Sequence, residues 1–172
     1  MNNILYATCE EEKILIRIYE IHQITKTYYL KCEEYSEDME SILQPIKEFR
    51  DAYDHFIRFL CPNATSEYKT KNLDKALGHE YRAFFDTMDY FCLVMRERIY
   101  KLKEGLSIED VEKRVPHYFK IKQKISKCCQ EIAALRLEKD VMRIEKTVER
   151  YQEIAIELEK CHDEICGYLA DE

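Results

Sequence analysis

The stretch from His117 to Cys166 contains neither glycine nor proline, the two residues that most often interrupt a helix or a strand. The whole chain of 172 residues has only three Gly and three Pro, too few for the many tight turns of a β-sandwich or β-barrel. Apolar residues recur along it at intervals of three and four, which is the period of one helical face. The sequence therefore predicts an all-α protein, an up-and-down bundle of four to five helices with a very long C-terminal helix.

The length of the chain is typical of one domain with one hydrophobic core. We therefore predict a single helical domain over residues 1–172, with a three-helix part at 1–105 and a short helix plus the long C-terminal helix at 106–172. Ser36 is the expected N-cap of the second helix, because acidic residues follow it. Pro116 is expected to interrupt the chain after the short helix. The apolar spacing slips near Leu135, so the pattern leaves open whether 117–166 forms one helix or two.

The later part of this C-terminal segment has apolar residues at heptad spacing, which is typical of a coiled coil. The members of this stripe are Leu137, Val141, Ile144, Val148, Tyr151, Ile154, Leu158, Cys161 and Ile165. A lone helix that exposed the stripe would be unstable, so it must pack on the N-terminal helix, on the bundle or on a second copy of the chain. We therefore predict a non-enzymatic interaction module. Its C-terminal helix is expected to bind a second copy of the chain, which gives a homodimer, or a protein partner.

The formal net charge is −7, so the overall field of the molecule repels polyanions and no DNA binding is expected. No apolar run approaches the roughly 18 residues that a membrane-spanning helix needs. The N-terminal residues also lack the basic start and apolar core of a secretory signal. These features predict a cytoplasmic protein without a membrane partner.

The eight cysteines include no Cys-x-x-Cys pair, which argues against a zinc ribbon or a thioredoxin-like redox motif. We expect them to stay reduced and to fill the core as small apolar side chains. The Glu-x-x-His motif of ferritin-like di-iron sites is absent as well. Asp51, His55, His79 and Asp86 have the residue types of metal ligands, but their predicted outward faces argue against a shared site. We therefore expect no metal and no cofactor.

The segment from Arg96 to Lys127 reverses the overall charge, because its basic residues outnumber its acidic ones. Tyr100, His117 and Tyr118 lie among these basic residues. Interleaved cations and aromatic rings are suited to hold a phosphate backbone and to stack a base. The alternative is a solvated helix face with compensating acids. The candidate RNA track consists of Lys120, Lys122, Lys124 and Lys127.

The second predicted helix carries the hexapeptide RDAYDH at residues 50–55. At 100° per residue, Asp51, His55 and Arg58 share the face opposite the predicted core residues Phe49, Tyr53 and Ile57. The hexapeptide resembles the Arg-x4-6-His motif of the HEPN superfamily of helical-bundle proteins, in which a polar residue commonly follows the Arg. Many members of that superfamily are metal-independent ribonucleases, and others are thought to be inactive binding modules.

The resemblance implies an alternative function, that of a metal-independent ribonuclease or RNA-binding protein. His55 would handle the proton of an RNA 2′-hydroxyl or leaving oxygen, and Arg50 would stabilise the charge that develops on the phosphate. Members of the superfamily typically build this site across a dimer. Two features depart from the usual pattern, since the motif lies on the second helix and Phe56 and Ile57, rather than a nearby Tyr, follow the His.

A second polar group lies on the third predicted helix, where His79, Arg82 and Asp86 share a face. The pattern His-x-x-Arg occurs on both helices, at 55–58 and at 79–82. The two groups are therefore expected to form an ion-pair network, to line a composite phosphate site, or to face water. The candidate support for a phosphate or polar site consists of Asp51, Arg58, His79, Arg82 and Asp86.

Overall fold

The computed structural model describes residues 7–36, 41–137 and 144–169. Within these ranges every regular element is an α-helix, which confirms the all-α prediction. The helices are α1 (Cys9–Tyr35), α2 (Leu43–Phe59), α3 (Ser66–Lys101), α4 (Ile108–Arg114), α5 (Tyr118–Leu137) and α6 (Ile144–Leu169). The described residues thus form six helices, so the predicted count of four to five is wrong. Among these residues, no helix combines the length and the apolar character that crossing a bilayer requires.

The chain divides into two compact units, Met1–Thr87 and Met88–Glu172. Helices α1 and α2 lie in the first unit, and α4, α5 and α6 lie in the second. Helix α3 contributes residues to both units. The single domain with an internal boundary near residue 105 stays a prediction.

In the first unit, α1 and α2 run antiparallel. The His22 ring lies 4.9 Å from the Phe49 ring between centroids, and the Tyr29 hydroxyl donates to the Ile42 carbonyl over 3.5 Å. These two contacts pair an earlier residue of one helix with a later residue of the other, as an up-and-down arrangement requires. The apolar residues buried in this unit are Ile21, Tyr28, Cys32, Ala52, Phe59, Leu73, Ala76, Tyr81, Ala83 and Phe84.

The start of α1 is fixed by a capping box. The Thr8 side chain accepts a hydrogen bond from the Glu11 backbone N–H, and the Glu11 carboxylate accepts one from the Thr8 backbone N–H over 2.7 Å. Ser36 is the C-cap of α1, so its predicted role as the N-cap of the second helix is wrong. Residues 37–40 lie outside the described ranges, and α2 begins at Leu43 after Ile42 as its N-cap.

Helix α2 buries a different face from the predicted one. Its buried residues are Pro45, Ala52 and Phe59, which are spaced by seven and share one side of the helix. Tyr53 and Ile57 were predicted to face the core, yet both are exposed, and so is Ile46. The helix therefore packs through small residues and one Phe, and it leaves a row of larger apolar side chains exposed.

In the second unit, α5 and α6 form an antiparallel pair. Lys124 on α5 is 2.9 Å from Glu157 on α6, and Glu131 near the end of α5 pairs with Arg150 near the start of α6. The chain reverses direction between the two helices, so the prediction of one very long C-terminal helix is wrong. Residues 138–143, which connect them, lie outside the described ranges.

The heptad stripe of α6 is covered within the chain itself. Its described members from Val148 to Ile165 are buried, and Cys161 and Ile165 pack in a cluster with Ile99, Val115 and Ile121. Helix α4 joins this cluster through Val111, after Ser107 accepts a hydrogen bond from the Asp110 backbone N–H as its N-cap. Helix α4 ends just before Pro116, as predicted. The observation that motivated self-association through the C-terminal helix therefore no longer supports it.

Candidate functional site

Two histidines from neighbouring helices stack in the first unit. The rings of His55 on α2 and His79 on α3 are 5.4 Å apart between centroids, with an interplanar angle of 24°. Two hydrogen bonds connect the helices at this point, one between His55 and Asn72 and one between His79 and Glu48. The order of these pairs along the chain shows that α2 and α3 are antiparallel. Each helix supplies its two partners at a spacing of seven residues, which places both on one face. The fold thus brings together two predicted site residues that are distant in sequence.

The tautomer of His55 follows from its hydrogen-bond partner. Asn72 uses its amide nitrogen to donate to the Tyr68 carbonyl over 2.8 Å, so its side-chain oxygen is the group that faces His55. The His55 Nδ1 lies 2.9 Å from that oxygen and must donate to it. In the neutral ring the Nε2 atom then carries the lone pair. His55 therefore has a proton acceptor at Nε2.

Glu48 is the carboxylate that organises the other half of the site. Its Oε2 is 2.8 Å from the His79 Nδ1 and 2.8 Å from the Arg82 Nε. Burial tends to raise the pKa of Glu48, but the hydrogen bonds from Arg82 and His79 outweigh it and hold the pKa below its usual value. Glu48 therefore stays ionised at neutral pH and can fix the orientation of His79, as a carboxylate does in hydrolase triads.

Arg82 also approaches the same histidine nitrogen. Its Nη2 is 2.6 Å from the His79 Nδ1. One ring nitrogen cannot donate to Glu48 and accept from Arg82 at the same time. Whether Nδ1 of His79 carries a hydrogen therefore decides whether it donates to the carboxylate or accepts from the guanidinium.

A pocket of about 480 Å³ opens beside the two rings. Its lining residues are His55, Lys71, Asp74, Lys75, Gly78, His79 and Arg82. Three of these side chains carry a positive charge and one carries a negative charge, so the pocket favours an anion. Such a size is within the range of small-molecule sites, roughly 300–1,000 Å³. We call this feature the histidine pocket.

The structure separates Arg50 from this pocket. The Arg50 side chain is 72 % exposed and pairs with Asp51 over 2.7 Å. The hydrogen bond from Arg50 lowers the pKa of Asp51, and the charges of His79 and His55 add smaller contributions. Arg58 pairs with Asp54 over 2.7 Å on the exposed side of α2. Neither Arg50, Asp51 nor Arg58 lines the histidine pocket.

The remaining candidate residues fall in two places. Asp86 is half-buried on α3 and lies outside the lining of the histidine pocket. On α5, Lys124 pairs with Glu157, Lys127 lies 3.9 Å from Glu131, and Lys120 is exposed. Lys122 instead lines a separate groove in the second unit. The four lysines of the candidate RNA track therefore do not line one groove together.

Sequence reasoning missed Glu48 and Asn72, the two residues that hold the histidines. A usable signal was present, because Glu48 precedes His55 by seven residues and Asn72 precedes His79 by seven. Two polar residues that are seven positions apart lie on the same face of a helix, and the same spacing on adjacent helices indicates two polar faces that can meet. The pattern was obscured because the large apolar residues of α2 lie on its other side.

Comparison with known proteins returned no match. No family model, no curated protein and no solved structure matches the chain. Within the described ranges, His, Cys, Asp and Glu side chains form no group of three or more that is arranged to hold a metal ion. Any functional conclusion therefore depends on the geometry of this chain alone.

Proposed function

We propose that the protein is a non-enzymatic helical-bundle interaction module that self-associates through α2. The observation that carries this proposal is the exposed apolar row of Leu43, Ile46, Tyr53 and Ile57, each of which is between 44 % and 68 % exposed. Their positions follow the repeat of one helical face. Arg50 lies within this row, between Ile46 and Tyr53, so the surface is an apolar patch with one central cation. An exposed apolar patch of this kind is typical of a protein interaction surface. We call it the α2 face.

A second copy of the chain is the occupant that fits the α2 face. Two α2 helices packed antiparallel around Arg50 place Leu43 of one copy near Ile57 of the other. The same pairing brings Lys47 of one copy toward Asp54 of the second. It places the two Arg50 side chains near the symmetry axis, each paired with the Asp51 of its own chain. Lys47, Asp51 and Asp54 all lie on the same side of the row at 100° per residue, so opposite charges face each other along one side of the contact. Such self-complementarity is the requirement of a twofold-symmetric contact.

Sedimentation of the full chain at tens of micromolar tests this proposal. We expect a dimer, and we expect Tyr53→Asp and Ile57→Asp each to weaken it by tenfold or more, because each places a charge in an apolar contact. Tyr19→Asp is the matched control, since Tyr19 is equally exposed but lies on α1. A wild-type monomer at this concentration would contradict the proposal, as would a dimer that survives both α2 substitutions.

A second candidate function is metal-independent RNA cleavage at the histidine pocket. The observation that favours it is the pair of stacked imidazoles, one of them oriented by a carboxylate, beside Lys71, Lys75 and Arg82. His55 would accept the 2′-hydroxyl proton at Nε2 while the 2′-oxygen attacks the phosphorus. His79 would protonate the leaving 5′-oxygen, which yields a cyclic phosphate and a 5′-hydroxyl. The cations would stabilise the charge on the phosphoryl oxygens.

Cleavage of a mixed RNA pool in excess chelator tests the second candidate. We expect His55→Ala and His79→Ala each to lower the rate by at least 100-fold, the usual contribution of general acid–base catalysis. Arg50→Ala distinguishes cleavage by the HEPN-like pair Arg50 and His55 from cleavage by the histidine pair His55 and His79. The HEPN-like arrangement requires a loss of rate in this variant, whereas the histidine pair predicts little change. Equal rates in wild type and both histidine variants would rule out cleavage at this pocket.

A further inference from the structure

A second surface feature lies in the other unit, between the last turns of α3 and the middle of α5. It is a groove of about 660 Å³. Leu93 and Ile99 line it from α3, and Ile125 and Cys129 line it from α5. These side chains give the groove an apolar floor. We call it the α3–α5 groove.

The rim of this groove is basic, in contrast to the acidic chain as a whole. Arg96, Lys101, Lys103 and Lys122 line it, and Glu97 is the one acidic residue of the lining. Arg96 and Lys122 form no ion pair with any residue in the described ranges. Their charges therefore remain available to a ligand. An apolar floor with a cationic rim selects a ligand that is both anionic and rich in apolar or aromatic surface.

Two tyrosines give the groove a particular chemistry. Tyr118 is 8 % exposed, and its hydroxyl accepts a hydrogen bond from the Lys103 ammonium over 3.1 Å. Tyr100 is 71 % exposed, and the same ammonium lies 6.0 Å from its ring centroid. Lys103 is thus held beside both rings. The Tyr100 ring remains open to solvent next to the cations of the rim.

We propose that the α3–α5 groove binds single-stranded nucleic acid, with one base stacked on Tyr100 and flanking phosphates at Arg96 and Lys122. A cationic groove combined with an exposed aromatic ring is the arrangement that binds single strands with little sequence preference. An acidic peptide would satisfy the cations but has no planar group for Tyr100 unless an aromatic residue is present. RNA and DNA share the base and phosphate chemistry, so the experiment separates them. This proposal uses neither the α2 face nor the histidine pocket.

Fluorescence anisotropy with labelled single strands of about twelve nucleotides tests the proposal on the full chain. RNA and DNA of the same sequence form two arms, and the matching RNA duplex forms a third. We expect binding to at least one single strand below about 100 µM and weaker binding to the duplex. If two phosphates are held, affinity should fall about sevenfold between about 50 and 200 mM salt, from the slope for single strands.

Two variants with matched controls locate the binding. Tyr100→Ala should weaken it by about five- to 150-fold, the range for loss of one stacked base, whereas Phe119→Ala should change it little. Phe119 is also an exposed aromatic residue, but it lies outside the groove. Lys122→Gln should lower the salt slope by about 0.7, the value for one phosphate contact. Lys127→Gln should leave the slope unchanged, because Lys127 does not line the groove.

Three outcomes would overturn the proposal. The first is no binding of either single strand up to about 100 µM at low salt. The second is a loss of affinity that is equal in Tyr100→Ala and Phe119→Ala. The third is an aromatic-free acidic peptide that binds with the affinity of the single strands and is insensitive to Tyr100→Ala, which would make the groove a peptide site. Circular dichroism of each variant confirms that the helices are intact.

Discussion

Tyr151→Phe is the substitution that tests the packing of the second unit most directly. Tyr151 on α6 is 1 % exposed, and its hydroxyl donates to the Asp89 carboxylate on α3 over 2.8 Å. Arg136 on α5 donates to the same carboxylate oxygen over 2.9 Å. Asp89 therefore links side chains of three helices. Burial, together with the hydrogen bond to Asp89, raises the pKa of Tyr151, so the hydroxyl keeps its proton at neutral pH.

The expected cost follows from this geometry. A hydrogen bond to a charged group contributes about 1.5–3 kcal/mol. Asp89 retains Arg136 and is partly exposed, so water can replace the lost donor and the low end applies. We therefore expect the free energy of unfolding to fall by about 1.5 kcal/mol, with a decrease in Tm of about 3–6 °C for a chain of this size. Urea unfolding followed by circular dichroism measures the first value.

Tyr168→Phe is the matched control for this measurement. Tyr168 lies on the same helix but is exposed, so the removal of its hydroxyl should change the free energy of unfolding by less than about 0.5 kcal/mol. If Tyr151→Phe lowers the free energy of unfolding no more than Tyr168→Phe does, the hydrogen bond between Tyr151 and Asp89 does not stabilise the unit. If Tyr151→Phe changes the slope m, it has altered the surface exposed on unfolding, and the argument from a single hydrogen bond fails.

Three further changes are expected to alter stability. Thr87→Val should raise the free energy of unfolding by about 1 kcal/mol in urea unfolding, because the buried Thr87 hydroxyl has no hydrogen-bond partner within the described ranges. Gly78→Ala should raise it by about 0.5–1 kcal/mol, since an added Cβ meets only the flexible end of Arg82, at 3.7 Å; a decrease would mean that α3 needs glycine there. The hydrogen bond to Glu80 raises the pKa of His22, although burial opposes it. The pairing of protonated His22 with Glu80 therefore stabilises the fold fully below pH 6.5, and this contribution is lost as the pH rises through the folded-state pKa of His22. The difference in unfolding free energy between wild type and His22→Gln should shrink over that pH range, and a constant difference would contradict the assignment.

Much of the helical pattern could be predicted from the sequence. On α3, for example, apolar residues at helical spacing are buried at Leu73, Phe84, Met88, Phe91 and Met95. Helix α2 could not be predicted in the same way, because both of its sides carry apolar residues. Glu48 and His55 of α2 face α3 because they form hydrogen bonds with residues of that helix. A hydrophobicity pattern cannot predict such hydrogen bonds.

The candidate site was predicted in part. His55, His79 and Arg82 do meet, because equal spacing on two antiparallel helices brings them together. Arg50 does not join them, since a shift of five residues on a helix turns its side chain about 140° away from that of His55. The reversal of the chain between α5 and α6 was also hidden. The slip in apolar spacing near Leu135 was its only signal in the sequence, because no Gly or Pro lies between the two helices.

The distribution of the cysteines allows the opening of each unit to be followed by alkylation of its buried thiol. All eight lie in the described ranges, and none is in a disulfide. Cys9 and Cys61 are exposed, whereas burial raises the pKa of Cys32 to about 12 and that of Cys161 to about 11. An alkylating reagent attacks the thiolate, so these two buried thiols react only when their surroundings open. Because Cys32 belongs to the first unit and Cys161 to the second, the order in which they acquire label records which unit opens first.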